Sequence, residues 1–216
     1  MTTYRGAMVQ AEGVVRTKGA DQRDRVLAAA VDAIAERGPH RVTVRDIASR
    51  AGISPSHVLY YFGKRENILM ETLCWSESVL STQRAGELAS AESATQKLVR
   101  FIELYLPVDA RDVRWNLWNQ VIAAPPRTPP TDQLVAEMEQ VWVDDLQHVL
   151  SEGTATGEFR SVDVPELALR ARLLMDGVAS EVILGLPGRT AEWGVSYVRG
   201  WLAHELDVDG AAIHRG

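Results

Sequence analysis

An all-α chain with a small basic head and a larger acidic body is predicted by three observations. Apolar residues recur at helical spacing from residue 21 onwards. Strand-type alternation bounded by turn signals is absent. Charge is unevenly divided: residues 1–65 carry 11 Lys and Arg against 6 Asp and Glu, net +5, and residues 66–216 carry 12 against 23, net −11. A basic end on an acidic body is the asymmetry expected where one end meets polyanionic DNA.

With 216 residues and 46% apolar composition, the chain suits a small domain joined to a larger one. No apolar run reaches the ~18 residues a membrane span needs. Residues 1–20 hold Arg5, Arg16 and Lys18 with no apolar stretch behind them, so they read as a mobile basic arm and not as a signal peptide. Cys74 is the only cysteine, which excludes an intrachain disulfide and fits a reducing cytoplasm. It reads as a small apolar helix residue, against the alternative of a redox sensor.

The first helix starts at Asp21, with Val26, Leu27, Ala30, Val31, Ile34 and Ala35 at helical spacing, and Gly38-Pro39 stops it. A second helix begins at Thr43. Thr43 and Asp46 stand three apart as a weaker capping box, and Ile47 and Ala48 form the apolar face. Ala51-Gly52-Ile53 is a tight connection in which Gly52 can take a positive φ. Ser54 is a strong N-cap for the third helix and Pro55 occupies its first position. That helix ends near Phe62-Gly63. A fourth follows from about Lys64, with Ile68, Leu69, Thr72, Leu73, Ser76, Val79 and Leu80 along one side. Five more are expected at about 92–106, 109–124, 130–152, 164–185 and 190–207. The breaks are Pro107, the Pro125-Pro126 and Pro129-Pro130 cluster, the Gly153–Gly157 stretch, and Leu186-Pro187-Gly188. The expected domains are 1–20 arm, 21–65 DNA-binding, 66–208 ligand-binding and dimerisation, and 209–216 tail.

Two short helices joined by a Gly-containing turn, after a stabilising first helix, match the helix-turn-helix plan. Ile47, Ala48, Ile53, Val58 and Phe62 would set the angle between the helices. Ser54 to His57 leave the start of the third helix small and polar, fit to enter a major groove. Ser56, His57, Tyr60 and Tyr61 project from a helix too short to bury them all. The bland alternative is a helical corner of a globular domain.

The run from Thr43 to Phe62, followed by Lys64-Arg65-Glu66-Asn67-Ile68-Leu69, resembles the DNA-binding domain of the TetR family of transcriptional regulators. The resemblance covers about residues 20–70. It implies phosphate contacts at Thr43 and Arg45, and recognition-helix contacts at Pro55, Ser56, His57, Tyr60 and Tyr61. Ser54, Lys64 and Arg65 complete the expected DNA-binding set, Arg65 standing where the family usually has Lys. Leu59 replaces a common phosphate-contacting Tyr, and His57 replaces a common Thr or Ile, so operator preference does not carry over.

Further on, Gly157-Glu158-Phe159-Arg160 with Asp163, then Leu173-Leu174-Met175-Asp176-Gly177-Val178, resembles the BetI-like C-terminal region of that family. This implies a bundle whose last two helices pair with their twins in a homodimer, hence palindromic double-stranded operator DNA. Leu167, Ala171, Leu174 and Val178 make one candidate stripe, and Trp193, Tyr197 and Trp201 another. The family's cavity-lining helices carry Trp75, Trp115, Trp118 and Trp142 here, accompanied by Asn119 and Met175, which form the expected site for a small-molecule effector. An aromatic pocket suits a cation; an apolar or aromatic ligand is as plausible, and several of these tryptophans would serve equally as core. Repression relieved by ligand is the commoner mode in the resembling family.

Enzyme classes find no foothold. There is no His-Glu-x-x-His, Gly-x-Ser-x-Gly, P-loop or Gly-rich dinucleotide loop, and the five histidines lack zinc-ligand spacing. No cofactor or metal is expected. The competing class is a helical ligand- or protein-binding module without DNA binding, against which the intact polar start of the third helix argues.

Overall fold

The computed structural model describes residues 18–123 and 129–208. Among these residues every regular element is helical. In chain order they are α1 (Lys18–Arg37), α2 (Val44–Ala51), α3 (Pro55–Phe62), α4 (Arg65–Ser90), α5 (Ala94–Tyr105), α6 (Val113–Ala123), α7 (Pro129–Thr156), α8 (Val164–Ile183) and α9 (Ala191–Leu206). The described residues adopt the expected all-α architecture of about nine helices. The arm over residues 1–20 lies outside the described residues save for its last three, which open α1; the 209–216 tail lies outside entirely. No helix among the described residues is long and apolar enough to cross a membrane.

The chain forms two compact units. The first runs to Ser81 and takes in the segment from Arg111 that carries α6. Within it α1 packs on α2 and α6, and α2 on α3. Val26, Ala30 and Ile34 of α1, Ile47 and Ala48 of α2, Val58 and Phe62 of α3, and Ile68 and Leu73 of α4 are all buried. Each large aliphatic side chain so removed from water contributes roughly 1.5–3 kcal/mol. An ion pair between Arg114 of α6 and Glu77 of α4 (3.5 Å), both nearly excluded from solvent, pins α6 to this unit.

The second unit holds residues 82–110 and the chain from α7 onwards. Here α5 packs on α7 and α9, and α8 packs on both α7 and α9. Leu98, Phe101 and Ile102, Leu146 and Leu150, Ala171 and Met175, and Val198 and Leu202 form its interior. Ser93, Asp163 and Thr190 cap α5, α8 and α9 by accepting the N–H three residues on. Each such cap contributes about 1 kcal/mol.

Two sequence expectations need correction. The helix expected to stop at the Gly153–Gly157 stretch runs through Gly153 to Thr156 and is broken only by Gly157, at φ +77°. A glycine inside a helix lowers propensity without stopping it; a left-handed residue stops it. The stripe Leu167, Ala171, Leu174 and Val178 turns inward: three of the four are buried and Leu174 is half-buried. The reason lies on α9, where a Cβ on Gly194 would stand 3.0 Å from Val178 and 3.4 Å from Val182. The missing side chain lets α9 close on that face of α8. The apolar residues left outside on α8 are Leu169, Leu173 (56% exposed) and, at its end, Leu184 (67%).

Candidate nucleic-acid interface and effector region

Local rules build the helix-turn-helix of the first unit. The Thr43 hydroxyl accepts from the Asp46 N–H (3.2 Å), and the Asp46 carboxylate accepts from the Thr43 N–H (2.9 Å) and hydroxyl (2.7 Å). This is the capping box the spacing predicts. The Thr43 hydroxyl, then its N–H, hold the Asp46 carboxyl below the usual range. Arg37 adds an ion pair at 3.3 Å. Gly52 ends α2 in the left-handed region, φ +70°, and its N–H donates to the Ala48 carbonyl. Ser54 then caps α3, its hydroxyl accepting from the His57 N–H (3.2 Å), with Pro55 in the first turn.

Only Val58 and Phe62 of α3 are buried. Pro55, Ser56 and His57 are exposed, and Tyr60 is 81% exposed. Tyr61 is half-buried, its ring stacked on His57 at 5.2 Å and met edge-on by Tyr60 at 5.5 Å. The three rings brace one another along the outer side of a two-turn helix. That order is pre-set in the free protein, so less side-chain freedom is lost on docking.

Cations from neighbouring segments divide into two groups. Arg45 and Lys64 are exposed, as is Arg41, which sequence spacing did not single out. Arg65 is half-buried and turned inward, its Nε donating to the Val42 carbonyl (2.8 Å) and its Nη2 to the Pro39 carbonyl. It thus ties the start of α4 to the loop that delivers Thr43. Arg23 does comparable work from α1, pairing with Glu71, donating to the Tyr61 carbonyl (3.3 Å) and lying 4.7 Å over the Phe62 ring. Arg23 thus holds the end of α3 and Arg65 the loop that leads into α2, both spent on backbone and aromatic partners.

The six expected effector residues are distributed over the two units. In the first, Trp75 and Trp118 are half-buried, Trp115 is buried and Asn119 is exposed. Arg114 lies 5.2 Å over the Trp115 ring. In the second, Met175 and Trp142 are buried. Trp142 meets Phe101 (5.5 Å) and Tyr105 (5.0 Å) edge-on and carries the guanidinium of Arg84 at 3.7 Å over one face. Arg84 went unnoticed in the sequence, where an arginine on a long helix reads as a solvated charge. Beside this cluster Asp176 accepts from the Tyr105 hydroxyl and pairs with Arg172 (2.8 Å). Burial pushes its carboxyl above the usual range, against the pull of both partners. Cys74 is half-buried, and burial, then the Glu71 and Glu77 carboxylates, hold its thiol above the ordinary value, unlike an activated cysteine. Among the described residues no group of three or more His, Cys, Asp or Glu is arranged to hold a metal ion.

Comparison with known proteins gives these arrangements a context. Residues 26–72 match the family described as bacterial regulatory proteins, tetR family, and residues 94–207 match the C-terminal region of BetI-type transcriptional repressors. The HTH-type transcriptional repressor KstR2 of Mycolicibacterium smegmatis is 30% identical over 145 residues, 65% of this chain and 69% of that protein. The HTH-type transcriptional regulator QacR of Staphylococcus aureus is 21% identical over 73% of this chain and 84% of its own length. A transcriptional regulator from Saccharomonospora viridis, crystallised in complex with choline, superposes with a TM-score of 0.77 at 29% identity, covering 86% of this chain and 97% of that one.

Proposed function

Since the chain belongs to the TetR family of bacterial transcriptional regulators, with a BetI-type repressor C-terminal region, we propose that it is a repressor that binds a palindromic operator as a homodimer and leaves it when a small effector binds. The observation that carries the DNA half of this reading is the outward row on α3. Ser56, His57 and Tyr60 face solvent on a helix whose capped N-terminus is free of bulky side chains. Exposed Arg41, Arg45 and Lys64 stand on the flanking segments. A helix start of this kind reads base edges, and cations to either side hold phosphates.

One α3 reads only a few base pairs, so a two-fold protein on two-fold DNA is the economical arrangement. The exposed leucines of α8, with Tyr197 (53% exposed) on α9, support pairing through these helices. Effector release requires that the ligand bind the two conformations unequally; a coupling of ~1–3 kcal/mol weakens DNA binding about 5- to 150-fold. The choline held by the Saccharomonospora viridis relative favours a small organic cation as one reading of the effector. Half-buried Trp75 and Trp118 offer aromatic faces for it; Trp142 already has one face on Arg84.

Fluorescence anisotropy with the DNA upstream of the protein's own gene tests the proposal. Binding should weaken steeply with salt, since phosphate contacts release counterions. Tyr60→Ala should lower affinity more for that DNA than for a scrambled duplex. Equal loss on both duplexes, or salt-independent binding, would count against the assignment.

A further inference from the structure

We propose that the second unit binds a small effector by its carboxylate, gripped end-on by Arg84; this rests on the reading above that a small effector binds, and sets an acid at Arg84 in place of a cation at Trp75 and Trp118. Arg84 lies on α4 with its side chain 1% exposed. Two contacts fix the plane of its guanidinium. Its Nε donates to Asp145 Oδ2 (2.6 Å), and its central carbon sits 3.7 Å over Trp142. Trp142 is in turn wedged by Phe101 and Tyr105. The far end of the fork is different. Nη1 and Nη2 are both buried, and neither has a hydrogen-bond partner among the described residues.

Buried polar groups are almost always paired, and a buried cation with unmet donors is costly. Asp145 does not discharge that cost, since it engages only Nε and its own side chain is 39% exposed. If position 84 served packing alone, an aliphatic side chain would be as stable or more so. A held, oriented and half-satisfied guanidinium is instead a preorganised receptor. Its two Nη groups match the two oxygens of a carboxylate. A singly charged acid also fits the local charge better than a phosphate dianion, because half-exposed Asp145 already offsets part of the Arg84 charge. The Trp142 ring on the fork, with Phe101 and Tyr105 packed against it, suits an acid with an apolar or aromatic body.

The test compares acids with their neutral amides on the full chain, at matched chloride. Benzoate and propionate should raise the melting temperature and change tryptophan fluorescence with saturation; benzamide and propionamide should do neither. Arg84→Met should abolish the response to the acids. Arg84→Lys, which keeps the charge and loses the fork, should weaken it at least about tenfold, the loss expected for a charge-assisted hydrogen bond. Equal responses to acid and amide overturn the proposal, as does no response to either acid or an undiminished response in Arg84→Met. Should that variant fail to fold, the lysine variant and the wild-type acid–amide comparison decide. Operator binding by the wild type is followed in parallel. Release by choline chloride but not by the acids overturns the carboxylate and leaves the effector reading standing. Failure to bind operator at all overturns the reading above, while the thermal arm still decides the role of Arg84.

Discussion

The Phe159 ring lies against the backbone of Gly153 so closely that a Cβ there would stand 2.1 Å from it. The same pair is joined by the Phe159 N–H donating to the Gly153 carbonyl (2.9 Å). Phe159 is buried and has little room to withdraw. Gly→Ala inside a helix ordinarily gains up to about 1 kcal/mol from propensity. Here overpacking, typically about 1–3 kcal/mol, opposes it and is the larger effect. Gly153→Ala should therefore lower the urea midpoint, with a net loss of about 1–2 kcal/mol. A midpoint that rises would show that the ring moves freely.

Glu158, one residue before Phe159, receives the N–H groups of Ala94 and Thr95 and the Thr95 hydroxyl, each at 3.0 Å. It thereby satisfies the start of α5 from across the unit. Burial alone would raise its carboxyl; the Thr95 and Ala94 donors outweigh that and leave it below its ordinary value of 4.5. A depressed carboxyl contributes stability that is present above its unfolded value and is lost as pH falls through the folded one. Glu158→Gln should cost about 1–2 kcal/mol at pH 7. Thermal melts should show that cost shrinking as pH drops below 4.5. A cost independent of pH would mean the charge is irrelevant.

Arg45 and Arg65, twenty residues apart, should separate when mutated. Exposed Arg45 has only solvent to lose, so Arg45→Ala should leave the melting temperature unchanged. It should also reduce the slope of log K against log salt by about 0.9, one phosphate contact. Arg65→Ala removes the donors to the Val42 and Pro39 carbonyls. It should lower the melting temperature and weaken DNA binding through misplacement of α2. Unaltered stability in Arg65→Ala would return that residue to direct phosphate contact.

Asp176 carries the opposite sign. Its folded carboxyl lies above the ordinary value of 3.8, so the folded state favours the proton and stability is lost as pH rises through that range. Asp176→Asn keeps an acceptor for the Tyr105 hydroxyl and removes the half-buried charge. Its melting temperature should exceed that of the wild type at pH 7, and the gap should narrow towards pH 4. A lower melting temperature at pH 7 would show that the pair with Arg172 outweighs burial.

Much of the fold was legible in the residues because short-range rules govern it. Helical spacing located the helices of the described residues. The Thr43–Asp46 box and the Ser54-Pro55 start marked their helices because a cap involves residues three apart. The exposure of His57 and Tyr60 followed from a helix of eight residues that buries only Val58 and Phe62. Tertiary structure alone decided what depends on distant partners. The inward turn of Arg65 needs a carbonyl 23 residues away, and the burial of Arg84 needs Asp145, 61 residues on. Which stripe of α8 faces inward was settled by Gly194 on another helix, and the grouping of α6 with the first unit by Glu77. A periodic pattern reports that a helix has an apolar side; only the packed neighbours determine which side is covered and which charge is left without water.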